Sequence, residues 1–154
     1  MKDNSFNAAG GPPEDKGNFV YMVALFNGIA VLLPWNAILS NLDFMNFRMP
    51  DYQPAANFPF AVNSLQLVAM ILVQLYTSTW SYNFKLGVMY LIISVLTIIL
   101  PFVAEFEHKN EGTDFTLCVI ILFCFGIGVA FTQASGFAFT GVLPGKYIGI
   151  FMVG

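Results

Sequence analysis

The placement of charge constrains this chain more than any other feature. Its six Lys and Arg and nine Asp and Glu fall in short clusters. Between the clusters lie four charge-free tracts, 17–42, 52–84, 86–104 and 115–145. Each is close to or longer than the roughly 20 residues that cross a ~30 Å hydrocarbon core at 1.5 Å per residue. A charge at the centre of such a helix costs about 2.5–3.5 kcal/mol, so four successive uncharged tracts point to a bilayer. Composition agrees: 57% of the 154 residues are hydrophobic and 10% charged, against about 25% charged in soluble domains. The expected fold is an all-α integral membrane protein. Its transmembrane helices are expected at about 19–41, 58–79, 86–104 and 115–140, with the start of a fifth at 146.

The first tract is too long for a signal-peptide core and has no small-residue cleavage site after it. Residues 1–18, with Gly10-Gly11-Pro12-Pro13 and then Glu14, Asp15 and Lys16, read as a disordered polar tail. With alternating spans, Lys2, Lys16, Lys85 and Lys146 share one side, and Arg48 and Lys109 the other. The positive-inside tendency makes the tail cytoplasmic. The apolar run after Pro144 opens a fifth span and stops short of a crossing. The chain is therefore expected to be a truncated N-terminal bundle, partnered by the lipid bilayer and by missing C-terminal helices of the same protein.

Chemistry-bearing clusters are not visible. His108 is the only histidine and lies in a charged loop, while Cys118 and Cys124 both fall in the fourth tract, where each reads as a small buried hydrophobe. No enzyme activity, cofactor, metal or nucleic-acid partner is expected.

The spans carry amides instead. The first contains Asn27, Pro34, Trp35 and Asn36. Proline inside a helix frees a carbonyl that neighbours must satisfy, and Trp35 lies well inside the span rather than at its rim. In the second, Asn63, Gln66, Met70, Gln74 and Thr77 fall within about 80° of one another at 100° per residue. Such a face either lines an aqueous cavity or ligand path, or bonds neighbouring helices. The third span, with Ser94, Thr97 and Pro101, reads as a packing helix. The fourth repeats small residues at Gly128, Thr132, Gly136 and Thr140, a spacing that lets helix backbones approach closely. Gln133 lies at the edge of that stripe, about 20° from Thr140. Its amide is either a cross-helix bond or a paired donor and acceptor for the edge of a nucleobase.

Two motifs resemble a known family. Leu32-Leu33-Pro34-Trp35-Asn36 is similar to the LPWN signature of the equilibrative nucleoside transporters. Gln133, followed by Gly136, Gly141, Leu143-Pro144, Tyr147, Met152 and Gly154, looks like that family's fourth helix running into its fifth. The resemblance covers the chain from about Asn18 to its end. It implies a major-facilitator-like fold of six plus five helices around a central cavity, this chain being roughly the first third. The implied activity is facilitated diffusion of nucleosides, or of nucleobases, by alternating access across the plasma membrane. Leu32 and Trp35 would line the cavity and Gln133 would contact the base. Leu39 stands where better-known members carry methionine, and Val129 where they carry glycine, so base preference and inhibitor sensitivity are not carried over. The family's charged sugar-contacting pair lies on a later helix.

The amides fit the same substrate class. Nucleosides are neutral, flat and polar, and call for amides beside an apolar or aromatic wall. The expected substrate-binding residues are Leu32, Trp35, Leu39, Asn63, Gln66 and Gln133. No Asp, Glu or His lies within the four spans, which favours uniport over proton coupling. The competing reading is a non-transporting tetraspan assembly subunit, whose amides and glycines serve helix packing alone.

Overall fold

A computed structural model describes residues 16–76, 80–105 and 111–154. Residues 1–15 of the expected tail, Thr77, His108 and Lys109 lie outside them. The described residues are helical, with no strand among them. Helix α1 spans Phe19–Ser40, α2 Leu42–Arg48, α3 Pro54–Tyr76, α4 Tyr82–Glu105, α5 Glu111–Gly141 and α6 Gly145–Val153. Among the described residues, four stretches are long and apolar enough to cross a membrane: Phe19–Arg48, Pro54–Tyr76, Phe84–Glu105 and Glu111–Gly141.

Two boundaries differ from the sequence expectation for physical reasons. The first span does not stop near 41. Asn41 interrupts it in a nearly helical conformation, and α2 continues with Met45 fully buried. The charge of Asp43 closes the uncharged tract in the sequence, yet Asn41 and Asp43 are both exposed, so the polar residues sit on the outer side of a continuing helix. Helix α3 begins at Pro54 rather than at 58. Proline is suited to a first helical position because it lacks an N–H to satisfy, and the side-chain oxygen of Asn46 accepts the free N–H of Ala55 at 3.0 Å.

Arg48 ties α2 to the end of α4. Its Nη2 donates to the carbonyl of Glu105 at 3.1 Å and its Nε to that of Ala104 at 3.4 Å. Carbonyls in the last turn of a helix lack the usual intrahelical partner, and a cation suits the negative end of the helix dipole. Lys85 lies at the opposite end of α4.

Helix α5 is the centre of the bundle. Of its most apolar stretch 44% is buried, against 11% for α4, so α5 is central and α4 peripheral. It packs against α3 and α4, while α6 lies against α1. The small stripe of α5 is buried throughout: Gly128 faces Ile93 of α4 and Gly136 faces the Phe151 ring of α6. A Cβ on Gly126 would sit 2.9 Å from the Val62 carbonyl oxygen of α3, and one on Gly28 would overlap the Phe151 carbonyl oxygen of α6. At these two positions backbone meets backbone, and only glycine fits. The interior between α3, α4 and α5 is filled by Phe58, Val62, Ile93, Leu100, Leu122 and Phe125. The two cysteines part company: Cys118 is buried as expected, whereas Cys124 is exposed on the outer face of α5.

Candidate substrate cavity

Three helices converge on one cavity of about 180 Å³. Helix α1 contributes Val31, Leu32 and Trp35; α3 contributes Val62, Asn63 and Gln66; α5 contributes Phe125, Val129 and Gln133. Within each helix the lining residues are spaced by one turn, Val31 with Trp35, Val62 with Gln66, and Phe125 and Val129 with Gln133. That is the i, i+4 spacing of a single helix face. The apolar members form a wall, and the amides lie a turn away from it.

Gln66 and Gln133 meet in this cavity. Nε2 of Gln66 donates to Oε1 of Gln133 at 2.7 Å, joining α3 to α5. Trp35 is partly buried and packs on the core, so its ring is held as a fixed wall. Among the described residues no charged side chain lines the cavity. Among the described residues no group of three His, Cys, Asp or Glu could hold a metal ion.

Of the six residues expected from the sequence, Leu32, Trp35, Asn63, Gln66 and Gln133 line the same cavity. Leu39 does not line it; it sits a turn beyond Trp35 with 38% of its surface exposed. The amide face of α3 continues as an open groove along Asn63, Gln66, Met70 and Gln74. Asn63 and Gln74 are exposed, and an unpaired amide in hydrocarbon costs several kcal/mol on the order of a lost hydrogen bond. This face is suited to water or a polar neighbour rather than to lipid. Val62 and Phe125 were not anticipated, although stepping back four residues from Gln66, and eight from Gln133, would have found them.

Not every span amide belongs to the cavity. Asn27 donates from Nδ2 to the Val23 carbonyl of its own helix at 2.8 Å. The Tyr90 hydroxyl of α4 donates to the Asn27 backbone carbonyl at 3.2 Å and also lies 3.3 Å from its side-chain oxygen. Asn36 donates back to Leu32 at 3.2 Å. These two amides serve the helix pair and the helix turn.

The fold and the site together define a multi-pass α-helical membrane protein with a neutral, amide-bearing internal cavity. Its sequence is similar to the N-terminal part of transporters. It is 23% identical over 137 residues to equilibrative nucleotide transporter 8 of Arabidopsis thaliana, covering 87% of this chain and 35% of the relative. Equilibrative nucleotide transporter 1 of the same plant is 25% identical over 142 residues, covering 88% and 31%. Equilibrative nucleoside transporter 4 of Homo sapiens is 24% identical over 143 residues, covering 88% and 26%. The chain thus spans about a quarter to a third of the length of the curated relatives it matches. No family model matches it, and no solved structure does.

Proposed function

We propose that this chain forms one wall of a facilitative transporter for nucleosides or nucleobases, working by alternating access. The observation that carries the reading is the Gln66–Gln133 pair set beside Trp35 in an uncharged cavity. An amide pair offers donors and acceptors to a base edge, and an aromatic wall suits a flat ring. The cavity of about 180 Å³ is smaller than the roughly 300 Å³ at which ligand pockets begin. A second bundle, of the kind that the greater length of the relatives would supply, completes the enclosure in a six-plus-five arrangement. The absence of a titratable side chain in the cavity lining favours uniport. The Lys and Arg distribution supports a cytoplasmic N-terminus, and the plasma membrane is the proposed location.

The same bond is what a packing role would also use, since cross-helix side-chain bonds in membranes contribute ~0.6 kcal/mol on average. Uptake by cells expressing the complete reading frame that carries this chain separates the two. Gln133→Leu, normalised to surface protein, is expected to weaken apparent affinity by roughly tenfold or more, the effect of ~1–3 kcal/mol for an unpaired base edge. Unchanged affinity with less folded protein would instead favour the assembly-subunit reading.

A further inference from the structure

The amide face of α3 runs on past the cavity, and its far end carries a side chain that the Gln66–Gln133 pair leaves unused. The open groove along this face has a volume of about 630 Å³, within the roughly 300–1,000 Å³ of ligand pockets. It shares Asn63 and Gln66 with the smaller cavity and ends at Gln74 and Leu75. Eleven residues separate Asn63 from Gln74, so the two amides leave α3 within about 20° of each other and ~16 Å apart along its axis. Met70, which also lines the groove, stands one turn from Gln66 and one turn from Gln74, and its flexible thioether adapts to whatever passes over it.

Gln74 also differs from the other polar residues of the spans. Asn27, Asn36, Ser40, Ser94 and Thr97 each donate to the carbonyl four residues back in their own helix. Gln74 is exposed and hydrogen-bonds to no described residue. Both limbs of its amide are therefore open to a polar ligand, and lipid satisfies neither.

We propose that Gln74 is a second contact for the nucleoside, met at the cytoplasmic end of the groove after the ligand has left the Gln66–Gln133 pair, and that it sets the affinity of the inward-open protein. This rests on the proposed function and its orientation, in which α3 runs from outside to inside, and it adds a residue to the path. The amide supplies two N–H donors and an acceptor oxygen, which suits either a base edge or a ribose hydroxyl. A contact made only in the inward-open state strengthens binding from the cytoplasm and leaves binding from outside to the cavity residues.

The test is uptake of adenosine and uridine into right-side-out and inside-out membrane vesicles carrying the complete protein, which report half-saturation at the outer and the cytoplasmic face. Gln74→Leu is expected to raise the cytoplasmic value roughly fivefold or more relative to the outer one. Gln74→Met, closer in length, serves if the leucine variant fails to reach the membrane. Gln133→Leu, at the central pair, is expected to raise both values and to keep their ratio near that of the parent. An amide that only water meets, or that only packs against another helix, leaves the ratio unchanged in the Gln74 variants. That outcome, or a larger change at the outer face, overturns the inference. A parent with no saturable uptake into either kind of vesicle overturns the proposed function beneath it.

Discussion

The seam between α1 and α6 and the cavity between α1, α3 and α5 solve opposite problems within one bundle. At the seam, Gly28 brings backbone against backbone. Within the interior of α5, polar groups fold back on their own helix: Thr132 donates to the Val129 carbonyl at 3.0 Å and Thr140 to that of Gly136 at 2.8 Å. At the cavity, Gln66 and Gln133 reach across helices to each other, and Asn63 stands exposed beside them. Polarity answered inside a helix is compatible with tight packing, whereas polarity presented to a gap is useful only if something polar enters the gap. Under the proposed function, the small residues serve stability and the amides recognition.

The contrast breaks most visibly at the seam. Gly28→Leu must drive a side chain into the Phe151 backbone carbonyl, which cannot move without displacing α6. Overpacking typically costs ~1–3 kcal/mol and more where backbone must shift, so little folded protein is expected at the surface, measured by surface labelling. Gly128→Ala is the milder case: its added methyl group meets the Ile93 side chain, 2.8 Å away, rather than backbone, so a smaller loss of folded protein than for Gly28→Leu is expected. In the cavity the effects should reverse. Leu32→Trp projects a larger ring from an exposed lining position toward space of about 180 Å³, so surface protein stays near the parent level while nucleoside uptake falls by roughly tenfold or more. The smallest effect belongs to Thr132→Val, which removes a hydroxyl bonded only to carbonyls of its own helix. Thermal unfolding of the purified protein should register less than ~1 kcal/mol. A larger loss would mean that this hydroxyl matters across helices.

Those expectations depend on facts of unequal visibility in the sequence. The four spans follow from charge alone, because a buried charge in hydrocarbon is costly wherever it falls. The amide face of α3 follows from helical period. Facing partners do not: Gln66 and Gln133 lie 67 positions apart, and Asn27 and Tyr90 lie 63 apart. No local pattern says that the first pair borders a cavity while Asn27 is held between two helices. The continuation of the first span through α2 was hidden because Asp43 ends the uncharged tract. Only the docking of Met45 and Arg48 shows the chain running on as helix. Leu39, placed by resemblance, lies beyond the cavity wall because α1 carries it a turn past Trp35. Cys124 is exposed although its neighbour in the same tract is buried, a distinction set by which side of α5 faces α3 and α4.

The central claim is that one face of α3 meets water and substrate while the opposite face meets lipid. Single cysteines tested with a hydrophilic thiol reagent, in the complete protein with Cys118 and Cys124 replaced by alanine, examine it directly. Asn63→Cys should react, and saturating nucleoside should slow that reaction several-fold, because the ligand occupies the space beside it. Val68→Cys, on the apolar groove between α3 and α5, should react slowly and show no change with nucleoside. Equal reactivity at 63 and 68, or reactivity at 63 that nucleoside leaves untouched, would contradict the account.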